Sequence, residues 1–371
     1  MMDTVFPFGF PWPTAFYLTW YVITLCIHVV FMNYVLAGSG YLAVAGFARI
    51  GRQVGSPETP MASHLRDWLP FAVSAAVTAG VAPLLFLQIL YKQDFYTANL
   101  LLFHRWMAIV PVLIAGSYLA YLLKSRVIAR WSTVMRVLVG LGAFACFLFA
   151  AWSWTENHLL SQRRDMWPEF YAAQRMVYDE PQLWIRLGLW VSGSVATMVT
   201  IVSWQLWFAQ NRGTILPPSE PRRAAWLAIG GIAASYVFGF LWYTALDDPA
   251  QHALRTLPAG PYLLVALAGI VLQVIAWARQ TRSDRFREAF LLPASAGTLL
   301  TLLGMTIVRE AVRLAHVDMP ALQEQHARAL AVGGLPLFLC FFAINAVLVG
   351  WCFRLVQRGR RPGEFVPQRT P

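Results

Sequence analysis

Apolar runs of about twenty residues or more recur along the whole chain, and each is long enough to cross about 30 Å of hydrocarbon as a helix. Only 13% of the residues are charged, against about 25% in soluble domains, which excludes an ordinary soluble fold. We therefore predict an all-α, polytopic transmembrane helical bundle. It has about nine spans, near Pro13–Arg49, 68–91, 102–123, 134–155, 184–208, 224–245, 260–278, 289–311 and 335–353.

The charged residues between these spans are divided unevenly between the two sides. Alternate connections and the C-terminal tail hold 19 of the 29 lysines and arginines but 6 of the 18 acidic residues. Because cytoplasmic loops carry the excess of positive charge, we predict an outer N-terminus and a cytoplasmic C-terminus in a bacterial inner membrane. The net charge of +11 then reflects membrane topology, and we expect the lipid bilayer rather than nucleic acid as a partner.

The predicted spans suggest two halves. Residues 1–160 form a four-helix half, and residues 161–371 form a five-helix half with short loops and a basic cytoplasmic tail. The connection from Glu156 to Trp184 mixes charged and aromatic residues at helical spacing. This pattern predicts an amphipathic segment on the membrane surface, with a docking surface for a partner as the alternative.

One histidine, His28, lies well inside the first predicted span. An unpaired polar group in hydrocarbon costs several kcal/mol, so an intramembrane histidine normally has a partner. The first interpretation is a hydrogen bond across a helix interface to a hydroxyl or carbonyl. The second is axial ligation of haem iron by the neutral imidazole. Ala37, Gly38 and Gly40 clear one face of this helix, for a macrocycle or equally for a neighbouring helix.

Two further groups of residues are candidates for a site. His104 begins the third span and is either a metal ligand or an interfacial histidine. Arg309 and Arg313 share a helix face at the end of the eighth span, because they are four residues apart. They are either part of a solvated helix end or a clamp for a haem propionate or another acidic partner.

Three segments of the first 160 residues resemble, at low similarity, the haem-bearing large subunit of cytochrome bd quinol oxidases. "ITLCIHVVFMNYVLAGSGYLA" looks like the first helix of that family, where a histidine binds haem. "TAGVAPLLFLQ" is similar to a segment of its second helix, and "FLFAAWSWTENHLL" matches the end of its fourth helix loosely. The outer N-terminus and nine spans agree with the family as well.

The chain also departs from this family. Two glutamate positions of the family's third helix fall on His104 and near Val112, and a haem-binding histidine of its fifth helix falls near Gly188. The long quinol-binding loop after the sixth span is missing. The resemblance therefore implies a relative that keeps one or two b-type haems, with His28 and His104 as candidate ligands. Such a relative passes electrons without reducing oxygen, and a quinone is a further candidate cofactor.

These observations leave three hypotheses for the function. The first is a membrane electron-transfer subunit with haem b, in which Arg309 and Arg313 bind propionates. It would pass electrons between quinol and an extracytoplasmic partner such as a periplasmic c-type cytochrome. The second is a cofactor-free anchor or scaffold among other membrane subunits of a respiratory complex. The third is a transporter, although broken helices in repeated halves are not evident in the sequence.

Overall fold

The computed structural model describes residues 6–50, 58–332 and 334–359. In these ranges the chain forms thirteen α-helices and two short 3-10 turns, with no β-strand, so the predicted all-α class is confirmed. Eight helices are long and apolar enough to cross a bilayer, which makes the chain a multi-pass membrane protein. They are α1 Trp12–Phe47, α2 Pro60–Leu90, α4 Phe103–Lys124, α5 Thr133–Leu160, α7 Pro181–Asn211, α8 Ser219–Thr244, α10 Gly260–Gln280 and α11 Glu288–Leu314.

The other helices lie between or after these spans: α3 Lys92–Leu101, α6 Trp167–Ala172, α9 Asp248–Arg255, α12 Met319–Ala331 and α13 Gly334–Gly359. The ninth predicted span coincides with α13, a helix of 26 residues whose apolar stretch includes Leu339–Cys352. For this last helix the count of nine spans stays a prediction within the described ranges. The basic tail from Arg360 onward lies outside them, and the sides of the two termini stay predictions.

Short polar side chains fix where several helices begin. The Thr59 hydroxyl accepts a hydrogen bond from the Ala62 backbone N–H at 3.2 Å, and Pro60 occupies the first helical position of α2. A capping hydroxyl favours a helix start because it accepts a hydrogen bond from a backbone N–H that has no partner within the helix. A proline at the first position favours it because proline has no N–H that would remain unpaired there. This explains why α2 begins at Pro60, before the apolar run that predicted a start near residue 68.

The long first helix, α1, is central to the bundle. It has 36 residues, the length expected from the sequence. It packs against α2, α5, α7 and α11, and the Asn33 side-chain amide donates to the Thr197 hydroxyl of α7 at 3.1 Å. The largest apolar cluster contains residues of α1, α2 and α5 as well as residues of α7, α8 and α11. The two predicted halves of the chain therefore share one core.

The helices α10 and α11 lie in close backbone contact. A methyl group added at Gly269 would lie 2.6 Å from the carbonyl oxygen of Gly297, and one added at Gly304 would lie 2.6 Å from that of Tyr262. Glycines at both positions allow this approach, as is common between membrane helices. The close contact fixes the position of α11, which carries Arg309 and Arg313.

The short helix α12 is anchored to the ends of α1 and α2 by one buried histidine. Nδ1 of His326 lies 3.0 Å from the Thr14 hydroxyl, and its Nε2 lies 3.1 Å from the Leu90 carbonyl oxygen. Because a carbonyl only accepts, Nε2 carries the proton and Nδ1 accepts from Thr14. Burial lowers the pKa of His326, and the bond to Leu90 offsets this only in part. The fold thus holds the imidazole in its neutral form.

This burial predicts a pH dependence of stability. His326 in the unfolded chain gains a proton as the pH falls through about 6.5, while the folded imidazole stays neutral until its lower pKa is reached. Stability conferred by the neutral ring is therefore complete above pH 6.5, and decreases by about 1.4 kcal/mol per pH unit below it. We expect His326→Gln to remove this decrease in thermal unfolding measured between pH 5 and pH 8. Replacing the exposed His252 in the same way should leave it unchanged, and an equal slope in all three proteins would contradict the prediction.

Candidate functional site

A cavity of about 440 Å³ lies between α1, α5, α7, α8, α10 and α11. This volume is typical of sites that bind small molecules. Most of its lining is apolar, including Leu25, Leu189 and Leu263. Arg186 and Thr197, the first and last α7 residues that line it, are about 16 Å apart along the helix, because an α-helix rises about 1.5 Å per residue. The cavity therefore extends over about 16 Å along α7, which is about half the thickness of a hydrocarbon core.

One end of this cavity, which we call the arginine end, is formed by Arg186, Arg309 and Arg313 together with Tyr21, His158 and Trp242. Arg309 and Arg313 lie near the C-terminal end of α11 and His158 lies near that of α5. Arg186 and Tyr21 belong to the N-terminal halves of α7 and α1, so residues distant in sequence face one another. Arg309 and Arg313 point to the same side of α11, because their spacing is i and i+4. Each of these elements thus contributes a polar terminus to one end of an otherwise apolar space.

A buried carboxylate, Glu310, holds part of the arginine end in place. Its Oε1 accepts a hydrogen bond from Arg309 Nη2 at 2.9 Å, and its Oε2 accepts one from the Tyr91 hydroxyl at 3.0 Å. Arg313 Nη1 lies 3.6 Å from Oε2, which is an ion pair but too long for a hydrogen bond. Arg309 also donates to the Tyr21 hydroxyl. Glu310 is fully buried, so this network is shielded from water.

Several donors at the arginine end have no acceptor within the described part of the chain. They are Nε of Arg186, Nε and Nη1 of Arg313 and Nε1 of Trp242. Arg186 is 6% exposed and Arg313 is 5% exposed, so water does not substitute freely for a protein partner. A buried donor without a partner costs about 1–3 kcal/mol, and more when it is charged. Unsatisfied charged donors on a cavity wall are the signature of a site for an acceptor.

The arginine end also carries an excess of positive charge. Arg186, Arg309 and Arg313 contribute three guanidiniums, and Glu310, which pairs with Arg309 and Arg313, is the one carboxylate within ion-pair distance of any of them among the described residues. The charges of Arg309 and Arg313 act on Arg186, so the guanidiniums repel one another. Like charges in a medium of low dielectric constant interact strongly, and an anion between them would relieve the repulsion.

Hydroxyl and amide side chains form a second polar group deeper in the cavity. The Gln273 amide donates to the Thr301 hydroxyl at 3.0 Å, and the Thr298 hydroxyl donates to Gln273 Oε1 at 3.1 Å. Thr298 also lies 3.3 Å from the Thr200 hydroxyl of α7. These side chains form hydrogen bonds with one another, so the group links α7, α10 and α11 and does not need a ligand to complete its hydrogen bonds.

The structure brings two of the predicted site residues, Arg309 and Arg313, together at the cavity. A solvated helix end, the alternative interpretation from the sequence, does not agree with their surroundings, because Arg313 and the intervening Glu310 are buried. An acidic partner does exist in the form of Glu310. Its single charge balances only one of the two guanidiniums, so the interpretation as a clamp for a further acid stays open.

The two predicted metal ligands, His28 and His104, do not line the cavity. The His28 ring packs on α2, where a methyl group at Gly80 would lie 2.9 Å from its Cε1. Its Nδ1 donates to the Ala76 carbonyl oxygen at 2.9 Å, which is the interhelical hydrogen bond that one interpretation of this residue predicts. His104 is exposed at the start of α4 and contacts the ring of Phe103.

In the part of its lining that the structure describes, the cavity offers hydrogen-bond donors for the propionates of a haem but no suitable imidazole ligand for its iron. The arginine end offers donors that suit propionates. Among the described lining residues the one imidazole belongs to His158, whose Nδ1 accepts a hydrogen bond from Arg313 and whose Nε2 lies 3.2 Å from the Gln162 side-chain nitrogen. Because Nδ1 accepts a hydrogen bond, the proton of the neutral ring lies on Nε2, so neither nitrogen offers the free lone pair that iron ligation needs. The residues here do not fit haem b held by an imidazole.

Arg186 and Trp242, two residues of the arginine end, were not among the site residues predicted from the sequence. For Arg186 a signal existed: it is a cation inside the apolar run 184–208, and charges within membrane spans are candidates for function. For Trp242 there was none, because a tryptophan near the end of a span is usually an interface anchor. Only the packing of α8 against α7 brings its indole under the Arg186 guanidinium, 5.6 Å from the ring centroid.

No protein-family model matches this sequence, and no curated protein is significantly similar to it. The resemblance to the cytochrome bd large subunit therefore depends on the three sequence segments alone.

Proposed function

We propose that this chain is a membrane-embedded binding subunit for an amphiphile with an acidic headgroup. The headgroup lies at the arginine end and the apolar tail lies along the cavity. The observation that carries this proposal is the set of buried arginine N–H groups without an acceptor, on Arg186 and Arg313. We therefore expect the three arginines to neutralise the charge of the headgroup and the apolar walls of the cavity to bury the tail.

The acidic nature of the headgroup follows from charge. A neutral ligand, such as a quinone, would accept hydrogen bonds but would leave the surplus positive charges uncompensated. An isolated charge in a medium of low dielectric constant costs much free energy, whereas a guanidinium paired with an anion forms short, strong hydrogen bonds. An anionic headgroup thus satisfies both the donors and the charge at the arginine end.

The amphiphilic nature of the ligand follows from the rest of the cavity. Beyond the arginine end its walls consist largely of aliphatic and aromatic side chains from α1, α7, α8, α10 and α11, such as Val29, Leu267 and Leu302. Filling such a space with an apolar tail contributes about 25 cal/mol for each Å² of apolar surface removed from water. A small hydrophilic anion would leave this surface unused.

Replacing Arg186 with glutamine tests this proposal. We expect Arg186→Gln in nanodiscs to bind an anionic single-chain amphiphile about tenfold more weakly than the wild type, because a charge-assisted hydrogen bond contributes about 1.5–3 kcal/mol. The empty variant should melt at or above the wild-type temperature, since removing one guanidinium eases the repulsion by Arg309 and Arg313. Binding is measured by native mass spectrometry and stability by thermal denaturation.

The exposed Arg175 provides a matched control, because it pairs with Glu169 on the surface and lies away from the cavity. Arg175→Gln should change neither binding nor stability. If Arg186→Gln unfolds more easily than the wild type and binds the amphiphile as tightly, the residue is structural and the proposed site is wrong.

The position of the site in the cell follows from the charge distribution and is part of the proposal. The excess of cations on one set of connections supports a position of the arginine end near the outer face of a bacterial inner membrane. On that face, other membrane subunits or a periplasmic c-type cytochrome are the partners expected from the sequence. A cofactor-free scaffold subunit would need the same partners but no ligand, so ligand binding distinguishes it from our proposal.

Electron transfer through a b-type haem is a second candidate function. Nδ1 of His28 donates to a backbone carbonyl, the orientation typical of histidines whose Nε2 binds a metal. A haem held there predicts a reduced-minus-oxidised b-type spectrum that is lost in His28→Ala and kept in His64→Ala. A colourless wild-type protein after expression with ample haem would reject this candidate and leave the binding site at the arginine end untouched.

A further inference from the structure

We infer that the headgroup bound at the arginine end is a phosphate monoester, which carries close to two negative charges. This inference rests on the proposed function and names the class of ligand for the same site. Its starting point is the charge of the site: three guanidiniums, from Arg186, Arg309 and Arg313, face a single carboxylate, Glu310. Two positive charges remain, so a dianion brings the buried end to neutrality.

The number of free donor side chains agrees with a phosphate. Arg186, Arg313 and Trp242 each present at least one buried N–H without an acceptor among the residues that the structure describes. A phosphate monoester offers three terminal oxygens that accept hydrogen bonds, and guanidinium groups match phosphate in geometry as well as charge. A carboxylate has two oxygens and one charge, and a phosphodiester also has one charge. Either would leave a donor unpaired or a positive charge unbalanced.

The surroundings of these donors make the site rigid enough to select a headgroup. The Arg313 guanidinium lies 4.5 Å from the centroid of the Tyr91 ring and also donates to His158. Arg186 lies over Trp242, and both are buried. Side chains that are already ordered by packing lose little conformational entropy when a ligand binds. The donors are thus positioned before the headgroup arrives.

A pair of ligands that differ by one charge tests this inference. The full-length protein in nanodiscs of zwitterionic lipid is titrated with dodecyl phosphate and with its methyl ester, which has the same tail and one negative charge. We expect dodecyl phosphate to bind at least about tenfold more tightly, as one further charge-assisted interaction predicts. In Arg186→Gln this preference should shrink, because the site then has one surplus positive charge. In Arg175→Gln it should persist.

Two further ligands identify which part of the inference fails, if one does. Equal binding of dodecyl phosphate and its methyl ester, or tighter binding of lauric acid, would overturn the phosphate monoester and leave the acidic amphiphile in place. Competition by inorganic phosphate as strong as that by dodecyl phosphate would keep the phosphate but overturn the amphiphile. Absence of binding by all of these ligands would overturn both proposals.

Discussion

Replacing Glu310 with glutamine is expected to destabilise the empty protein by about 3–5 kcal/mol, the usual effect of removing one partner from a buried ion pair. Glu310 is fully buried and bonded to Arg309 and Tyr91, with Arg313 close by. Glutamine has nearly the same shape but no charge, so the guanidiniums would face one another without compensation. Thermal denaturation in detergent, followed by size-exclusion chromatography of the soluble fraction, measures the loss.

The same substitution should act on ligand binding in the opposite direction. Without the carboxylate, the positive charges of Arg309 and Arg313 are no longer balanced by a neighbour, and more of their N–H groups are free to bind an external anion. We expect Glu310→Gln to bind dodecyl phosphate about tenfold more tightly than the wild type and to regain much of its stability when the ligand is present. A purely structural ion network would lose stability without this gain in affinity.

The control for Glu310 lies on the same helix. Glu288 is exposed in the first turn of α11, and its replacement by glutamine removes only a favourable interaction with the helix dipole, about 0.3–1 kcal/mol. If Glu310→Gln melts within that margin of Glu288→Gln, the buried carboxylate does not hold the arginine end together, and the charge count that supports a dianion loses its basis.

The fold of this chain was largely predictable, because hydrocarbon imposes a single solution on long apolar segments. Every backbone group in a membrane must be bonded within the segment, so eight apolar runs become eight helices. Of the short helices, α6 lies within the segment predicted to have helical spacing, and the others were not predicted. His326 shows why: it anchors α12 through contacts to Thr14 and Leu90, which are remote in sequence and leave no local pattern.

The site was predictable only where its residues share one helix. Arg309 and Arg313 lie one turn apart, so their common face could be read from the sequence. Arg186 reaches them from α7 and Trp242 from α8, and nothing in the spacing of residues indicates that these helices converge. For His28 the sequence left two interpretations open: a backbone carbonyl of the neighbouring helix is the observed partner of its Nδ1, and the haem hypothesis stays a prediction.

A second buried ion pair, between Arg105 of α4 and Glu156 of α5, predicts another large effect. Glu156 is fully buried, and Arg105 is its ion-pair partner within the described ranges. The Arg105 guanidinium lies over the Trp152 ring, with its Cζ 3.9 Å from the ring centroid, so packing as well as charge fixes the pair. Arg105→Ala would leave a buried carboxylate without its ion-pair partner, and we expect a loss of about 3–5 kcal/mol.

The exposed pair of Arg163 and Asp165, 2.9 Å apart, gives the matched control, since Arg163→Ala should cost only about 0–1 kcal/mol. A double variant separates charge from packing. In Arg105→Met with Glu156→Leu, both charges are replaced by apolar groups of similar size, and such replacements of buried pairs are often neutral or stabilising. We therefore expect the double variant to melt well above Arg105→Ala. Equal melting of the two would show that Arg105 stabilises the contact between α4 and α5 through its packing on Trp152, with Glu156 contributing little.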